Sequence, residues 1–199
     1  MRRIVASAHL SLDGVMQGPG GAEEDPSGGF DLGGWSWQFS DDDTLAVLMC
    51  MLGSPARPND LLLGRRTYDI FAAYWPHAPA DSPFARAFNK ANKYVLTRGE
   101  QKLDWANSHK LRSIDELKKV KAGKGPDIVL WGSSTLYPPL LEANLIDRLN
   151  LRIFPIILGK GKKLFGDASH PVTLKLGSSA ATKSGVITAK YERAGNASR

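Results

Sequence analysis

Three apolar runs in this chain stop at a glycine or threonine followed by small or basic residues: Leu61-Leu62-Leu63-Gly64-Arg65-Arg66-Thr67, Tyr94-Val95-Leu96-Thr97-Arg98 and Ile128-Val129-Leu130-Trp131-Gly132-Ser133-Ser134-Thr135. A continuous apolar run bounded in this way reads as a strand buried on both faces, which constrains the chain to a parallel sheet covered by helices on each side. Ligands of open α/β sheets sit just beyond the carboxyl ends of the strands, where loops and helix N-termini offer backbone N–H groups. Three such ends, two of them bearing arginine, point to a ligand with several phosphates, for which a nucleotide cofactor is the economical choice.

At 199 residues and 42% hydrophobic, the chain can bury a sizeable core, and it reads as one domain over 1–194 with a tail over 195–199. The longest apolar stretch, Ala46 to Leu52, is far short of the roughly 20 residues of a membrane span. No signal peptide is recognisable, and no membrane partner is expected. The single cysteine, Cys50, lies in Leu48-Met49-Cys50-Met51-Leu52 and reads as a buried, inert thiol. No intramolecular disulfide can form, which fits a reducing compartment such as the cytoplasm. The net charge of +6 raises nucleic acid as a partner. The basic residues are scattered in small groups at Arg65-Arg66, Lys118-Lys119-Lys121 and Lys160-Lys162-Lys163, without an RNA-binding strand motif, zinc-finger spacing or arginine-rich arm. A solvated surface with a local anion site accounts for the excess, and no nucleic-acid partner is expected. His77, His109 and His170 show no ligand spacing with cysteine or with one another, so no metal is expected.

Ile4 to Leu10 reads as the first strand and Ser11-Leu12-Asp13-Gly14 as the turn that ends it, since Asp-Gly favours the positive φ of a tight turn. The stretch Gln17 to Gly34 is a loop rich in glycine and proline, and a loop this long in a compact domain is a functional lid or disordered. Asp41-Asp42-Asp43-Thr44 can cap a helix running to about Gly53. A strand at Asp60 to Leu63, helices at Thr67 to Ala73 and Phe84 to Asn92, and a strand at Lys93 to Thr97 follow. Gly99 to His109 reads as irregular, Ser113 as the cap of a helix Ile114 to Ala122, and Asp127 to Trp131 as a strand. Leu136 to Ala143 reads as a helix, with Pro138 and Pro139 tolerable only in its first turn. Leu145 to Ile157 is strand-rich, and Pro155 inside it suggests a bulge or an edge position. Val172 to Leu176 and Val186 to Glu192 read as antiparallel strands joined across Gly177 to Gly185. The predicted fold class is α/β: three layers, a mainly parallel central sheet flanked by helices, and a C-terminal antiparallel β-hairpin.

In Gly64-Arg65-Arg66-Thr67 the glycine lets backbone approach a ligand, the threonine can cap a helix, and an arginine fork matches phosphate oxygens. The alternative is a strand end with solvated arginines. Thr97-Arg98 offers the hydroxyl and guanidinium that would recognise a ribose 2′-phosphate and select NADPH over NADH; otherwise it is an ordinary strand exit. Gly132-Ser133-Ser134-Thr135-Leu136 supplies small residues and helix N-terminal N–H groups for a pyrophosphate. Hydride transfer asks the protein for placement, exclusion of water and a proton donor. Asp13 is the first candidate donor, against the reading that it closes an Asp-Gly turn; Asp25 is the second, against a solvated loop acid. His9 points into a pocket or packs in the sheet. Trp35 and Trp37, following the loop at alternate positions with Phe39, are either the wall of a pocket or a core plug.

Ser11-Leu12-Asp13-Gly14, Gly64-Arg65-Arg66-Thr67-Tyr68, Tyr94 to Arg98, Trp131 to Leu136 and Asn144 to Leu149 through Pro155 to Gly159 closely resemble the dihydrofolate reductase-like superfamily. Within it, the chain is most similar to the branch of the reductase domain of bacterial riboflavin biosynthesis, which includes stand-alone proteins. The resemblance covers almost the entire chain and implies an NADPH-binding fold, often homodimeric. By that resemblance Gly64, Arg65, Arg66 and Thr67 face cofactor phosphates, Thr97 and Arg98 the adenosine ribose phosphate, and Gly132 to Leu136 the pyrophosphate and nicotinamide side. It implies reduction of a small polar heterocyclic or carbonyl-type substrate held among His9, the Asp13 turn, Trp35 and Trp37. The alternatives are a protein that senses NADPH without turning it over and a weak dihydrofolate reductase. Three departures stand out, the first two bearing on the substrate and the third on the geometry of the cofactor turn. Apolar Ala46-Val47-Leu48-Met49-Cys50 replaces the pterin-binding carboxylate of dihydrofolate reductases, Ser7 stands where riboflavin reductases usually have lysine, and the usual Gly-Gly pair is Gly132-Ser133.

Overall fold

The computed structural model describes residues 1–166 and 171–193. The tail expected over 195–199, and His170, lie outside the described residues. Among the described residues, eight strands form one sheet: β1 (Ile4–Leu10), β2 (Asp60–Gly64), β3 (Lys93–Leu96), β4 (Ser108–Leu111), β5 (Ile128–Trp131), β6 (Arg148–Ile153), β7 (Leu174–Ala181) and β8 (Ile187–Arg193). Their order is β4-β3-β2-β5-β1-β6-β8-β7. The first six in that order are mutually parallel, whereas β8 runs antiparallel to β6 and β7 antiparallel to β8. The leucines of β2 and the Ile128–Trp131 run are buried throughout, as the apolar runs predicted for strands covered on both faces.

Helices α1 (Asp42–Met49), α2 (Arg65–Tyr74), α3 (Pro83–Lys90), α4 (Ile114–Ala122) and α5 (Tyr137–Glu142) complete three layers. On one face, Ile4, Ala6, Ala8, Leu62, Leu130 and Leu149 pack against Leu117 of α4 and Tyr137 and Leu140 of α5. On the other, Leu61, Leu63, Val95, Val129 and Trp131 pack against Tyr68 of α2, Phe88 of α3, and Met51 and Leu52 after α1. Each fully buried leucine here contributes about 1.5–3 kcal/mol relative to exposure. Capping follows the residues: Asp41 accepts from the Thr44 N–H at 2.7 Å, and Ser113 from the Glu116 N–H at 3.2 Å. Pro138 and Pro139 occupy the first turn of α5, where a missing N–H costs nothing. Among the described residues no helix is long and apolar enough to cross a membrane.

Several expectations need correction. The segment read as irregular from Gly99 to His109 ends in the edge strand β4, paired in parallel with β3. The hairpin connection is only Thr182 to Val186, because β7 continues through Gly177 to Ala181 with an irregularity between Leu176 and Ser178. Pro155 lies beyond β6, which is an interior strand between β1 and β8, so neither bulge nor edge is involved. Cys50 is exposed, because α1 ends there and its neighbour Met51 turns inward instead. α2 begins at Arg65, two residues before the predicted start, directly from the strand end.

Candidate functional site

Strands β3, β2 and β5 are neighbours, so the three ends singled out in the sequence stand side by side. Gly64 is the extended N-cap of α2 and supplies no side-chain cap, which leaves the first-turn N–H groups of Arg65, Arg66 and Thr67 to other acceptors. Gly132 and Ser133 are both left-handed, at φ +53° and +58°. A Cβ on Gly132 would stand 3.1 Å from Thr67 Cγ2, so the turn needs glycine there for approach as well as conformation. Ser133 holds its left-handed position at a cost of about 1–2 kcal/mol, offset by three hydrogen bonds. Its N–H donates to Thr67 Oγ1 (3.0 Å), its Oγ accepts from the Gly64 N–H (2.8 Å), and its Oγ donates to the Trp131 carbonyl (2.9 Å). Ser133 therefore rivets the ends of β2 and β5 into one rim, a job that glycine cannot do.

The other rim residues are placed as follows. Arg65 turns back to Asp69 (2.9 Å) and to the carbonyls of Gln101 and Lys102. Arg66 is exposed and pairs with Asp25 at 2.5 Å. Thr97 Oγ1 accepts from the Gly99 N–H at 3.1 Å, and Arg98 is exposed with no ion-pair partner among the described residues. Ser134 opens a short 3-10 turn without a side-chain cap, Thr135 is exposed, and Leu136 is buried in the core. Uncapped helical N–H groups beside arginines are a donor set that suits a phosphate-rich cofactor.

The glycine-rich loop is folded around one buried residue that the sequence reading did not single out. Gln17 is 4% exposed; its amide donates to the carbonyls of Asp25 and Ser27, and its Oε1 accepts from the Lys162 N–H. Trp35 is buried, donates to the Gln17 carbonyl at 2.8 Å and packs edge-on against Phe154. Trp35 thus plugs a small core, whereas Trp37 is exposed and donates to the Gly20 carbonyl.

Neither candidate proton donor is held as an acid. Asp13 accepts from Ser11 Oγ (2.6 Å) and from the N–H groups of Leu158 (3.1 Å) and Gly159 (2.8 Å). The Ser11 and Leu158 hydrogen bonds lower its carboxyl to about 2, so at neutral pH it is an anion that fastens the β1 turn to the segment after β6. Burial pushes Asp25 up, but the Lys162 and Ser27 hydrogen bonds outweigh it and hold the carboxyl below its ordinary value. Because the Asp13 pKa is depressed on folding, its stabilisation is present above the ordinary 3.8 and lost as pH falls through about 2. In urea unfolding, the stability gap between wild type and Asp13→Asn is expected to be constant above pH 5 and to shrink between about pH 4 and 2. A gap unchanged by acid would show that the Asp13 carboxylate does not hold the turn.

Beside the rim lies a polar patch. Ser7 is register partner to Trp131 on β5 and Asn150 on β6, and His9 to Arg152, so these side chains share one face of three adjoining strands. Five side-chain polar atoms among the described residues are buried without a hydrogen-bond partner, and four belong here: His9 Nε2, Trp131 Nε1, Asn150 Oδ1 and Arg152 Nε. Burial, with Arg152 adding to it, holds His9 well below its ordinary value, so the imidazole is neutral; it meets Phe154 edge-on at 5.1 Å. Of the predicted substrate contacts, the structure brings His9 to this patch. Ser7, Asn150 and Arg152 were not among the site residues read from the sequence.

The sequence profile of the RibD C-terminal domain matches residues 2–188. The uncharacterized Bacillus subtilis protein YyaP is 26% identical over 197 residues, covering 96% of this chain and 94% of that one. A riboflavin biosynthesis candidate from Shewanella sp. PV-4 superposes at TM-score 0.69 with 20% identity, covering 96% and 99% of the two chains. A pyrimidine reductase-like protein from Corynebacterium diphtheriae gives 0.65 at 14% identity, covering 98% and 93%. Enterococcus faecalis dihydrofolate reductase, solved with NADP(H) and RAB-propyl, gives 0.60 at 16% identity and 96% of each chain.

Proposed function

The chain belongs to the RibD C-terminal domain family, and on that premise we propose that it is an NADPH-dependent reductase of a small, polar heterocyclic or carbonyl-type substrate. The observation that carries the reading is adjacency: Trp131 of the unpaired polar patch immediately precedes Gly132 and Ser133 of the phosphate-type rim. A cofactor site and an acceptor site sharing β5 is the arrangement that a two-substrate reduction requires.

In this proposal the N–H groups opening α2 and the Gly132 to Thr135 turn hold phosphates, with Arg66 and Arg98 adding charge. NADPH, when bound, supplies hydride. Arg66 already holds Asp25 through Nη2, so the glycine-rich loop and the cofactor share one guanidinium. The face carrying Ser7, His9, Trp131 and Asn150 then orients the acceptor, the helices above it exclude water, and donors such as Trp131 Nε1–H stabilise charge developing on an acceptor oxygen. With Asp13 and Asp25 both ionised and engaged, the product proton comes from another group or from water. That observation also favours a second reading, in which the protein binds NADPH without turning it over. A dihydrofolate reductase role gains nothing here, since Ala46 to Cys50 brings no carboxylate.

Titration with NADPH is expected to quench the tryptophan fluorescence saturably, with NADH weaker. If neither nucleotide bound below the millimolar range, both readings would fail. Oxidation of NADPH in the presence of any member of a heterocycle and carbonyl panel would then separate enzyme from sensor.

A further inference from the structure

Among the described residues four cationic side chains are buried: Arg2, Lys93, Lys121 and Arg152. Three have oxygen partners suited to a charge. Arg2 pairs with Asp60, Lys121 with Asp147, and Lys93 donates to the carbonyls of Phe88 (2.9 Å) and Asn89 (3.2 Å). Arg152 is the exception. It is 2% exposed, yet no carboxylate among the described residues pairs with it. Nη2 donates to Ser7 Oγ at 3.1 Å, Nη1 only to the thioether of Met51 at 3.2 Å, and Nε to nothing. A thioether is a weak acceptor, and an uncompensated buried guanidinium is among the costliest groups a core can hold. Met51 lies just past the end of α1 on a flexible, unbranched side chain, and its sulfur also accepts from Ser7 Oγ at 3.2 Å. It fills the place where a better acceptor belongs and can be moved aside.

We propose that Arg152 is the receptor for an anionic, planar oxygen group of the substrate, a carboxylate or an ionised ring oxygen, which displaces the Met51 thioether and is flanked by Trp131 Nε1–H and His9. The assignment rests on reading this face as the acceptor side of a reductase. It narrows the substrate class from polar to negatively charged. A guanidinium edge matches two coplanar oxygens, which is why a planar anion is favoured over a single hydroxyl. Selection against the neutral analogue follows, because an uncharged group leaves the buried cation uncompensated.

The test uses the intact protein, with and without NADPH, and three probes: benzoate for a carboxylate, the barbiturate anion for an ionised ring oxygen, and benzamide as the neutral isostere. Benzoate or barbiturate is expected to raise the wild-type melting temperature by roughly 3–6 °C at ten times its dissociation constant, with benzamide bound at least tenfold more weakly. Whichever anion binds more tightly identifies the oxygen group. Arg152→Met is expected to lose that shift and at least tenfold in anion affinity, to keep its NADPH titration, and to melt no lower than wild type without ligand, since an uncompensated charge has been removed. Benzamide binding as tightly as benzoate, or anion affinity unchanged in Arg152→Met, would overturn the proposal. So would an Arg152→Met protein that melts several degrees lower while wild type responds to neither anion. Should Arg152→Met fail to fold, the wild-type preference for anion over benzamide decides. Failure of NADPH to bind beside an Arg152-dependent anion shift would sink the reductase reading and leave the anion site standing; the converse result would do the reverse.

Discussion

Replacing Asp60 by alanine is expected to lower the unfolding free energy by about 3–5 kcal/mol, the cost of stranding a buried charge. Asp60 opens β2 and pairs with Arg2, both side chains being 4% exposed. Its other oxygen accepts from the Asn92 N–H (3.1 Å) and the Asn92 amide (3.2 Å), which locks the entry of β3 against β2. Arg2 in turn donates to the Pro126 carbonyl (2.7 Å) and Tyr94 Oη (3.2 Å). One carboxylate therefore fixes the amino ends of β1, β2, β3 and β5, the end of the sheet opposite the phosphate-type rim. A domain has about 5–15 kcal/mol in all, so the variant is left marginal. Urea unfolding measures the loss, and a value under about 1 kcal/mol would place this pair with exposed salt bridges. Replacing both partners by apolar residues, Arg2→Met with Asp60→Leu, is expected to recover most of the loss, because no charge is then left alone.

The strands that carry the rim were legible because buried parallel strands write themselves as unbroken apolar runs, and their polar stops mark the carboxyl ends. The edges were not. β4 is Ser-His-Lys-Leu with only Leu111 buried, and β7 beyond Leu176 is Gly-Ser-Ser-Ala-Ala, exposed throughout. Neither holds a strand by its own composition; each is held by the ladder of an adjoining strand, a tertiary effect that propensity does not record. Cys50 illustrates the same limit on a helix, since an apolar five-residue stretch does not say which side chain the turn at its end throws outward.

At the strand ends, residue types suggested a phosphate-binding rim, whereas partners decided what each acid does. Asp13 and Asp25 are each tied by N–H or cationic groups from the segment after β6, more than a hundred positions along the chain. Ser7 is the clearest case of information lost in one dimension. By the resemblance, the sequence alone reads Ser7 as a position that has lost a basic group. The structure shows a guanidinium 3.1 Å from that serine, delivered by Arg152 on the adjoining strand. Register across the sheet, which the sequence does not state, restores the charge.

Arg98→Ala is expected to weaken NADPH binding by roughly 10–100-fold while leaving NADH within about twofold, the loss of charge-assisted hydrogen bonds to a phosphate. The other arginines around the rim already have carboxylates: Arg65 has Asp69, Arg66 has Asp25, and Arg112 grips Glu100 through two hydrogen bonds of 2.6 and 2.8 Å. Arg98, exposed just past the end of β3, has no such partner among the described residues, so its guanidinium meets a phosphate without first breaking an ion pair. Arg112→Ala is the control that removes the same charge from the same region, and it is expected to change NADPH affinity less than threefold, because Glu100 already holds that guanidinium in an exposed ion pair. Fluorescence titrations of both nucleotides against the three proteins give the preference ratio directly. Equal losses for NADPH and NADH in Arg98→Ala would mean that this residue meets the shared part of the cofactor, and equal losses in both variants would reduce its role to diffuse attraction. Only a loss confined to NADPH and to Arg98 assigns it the 2′-phosphate.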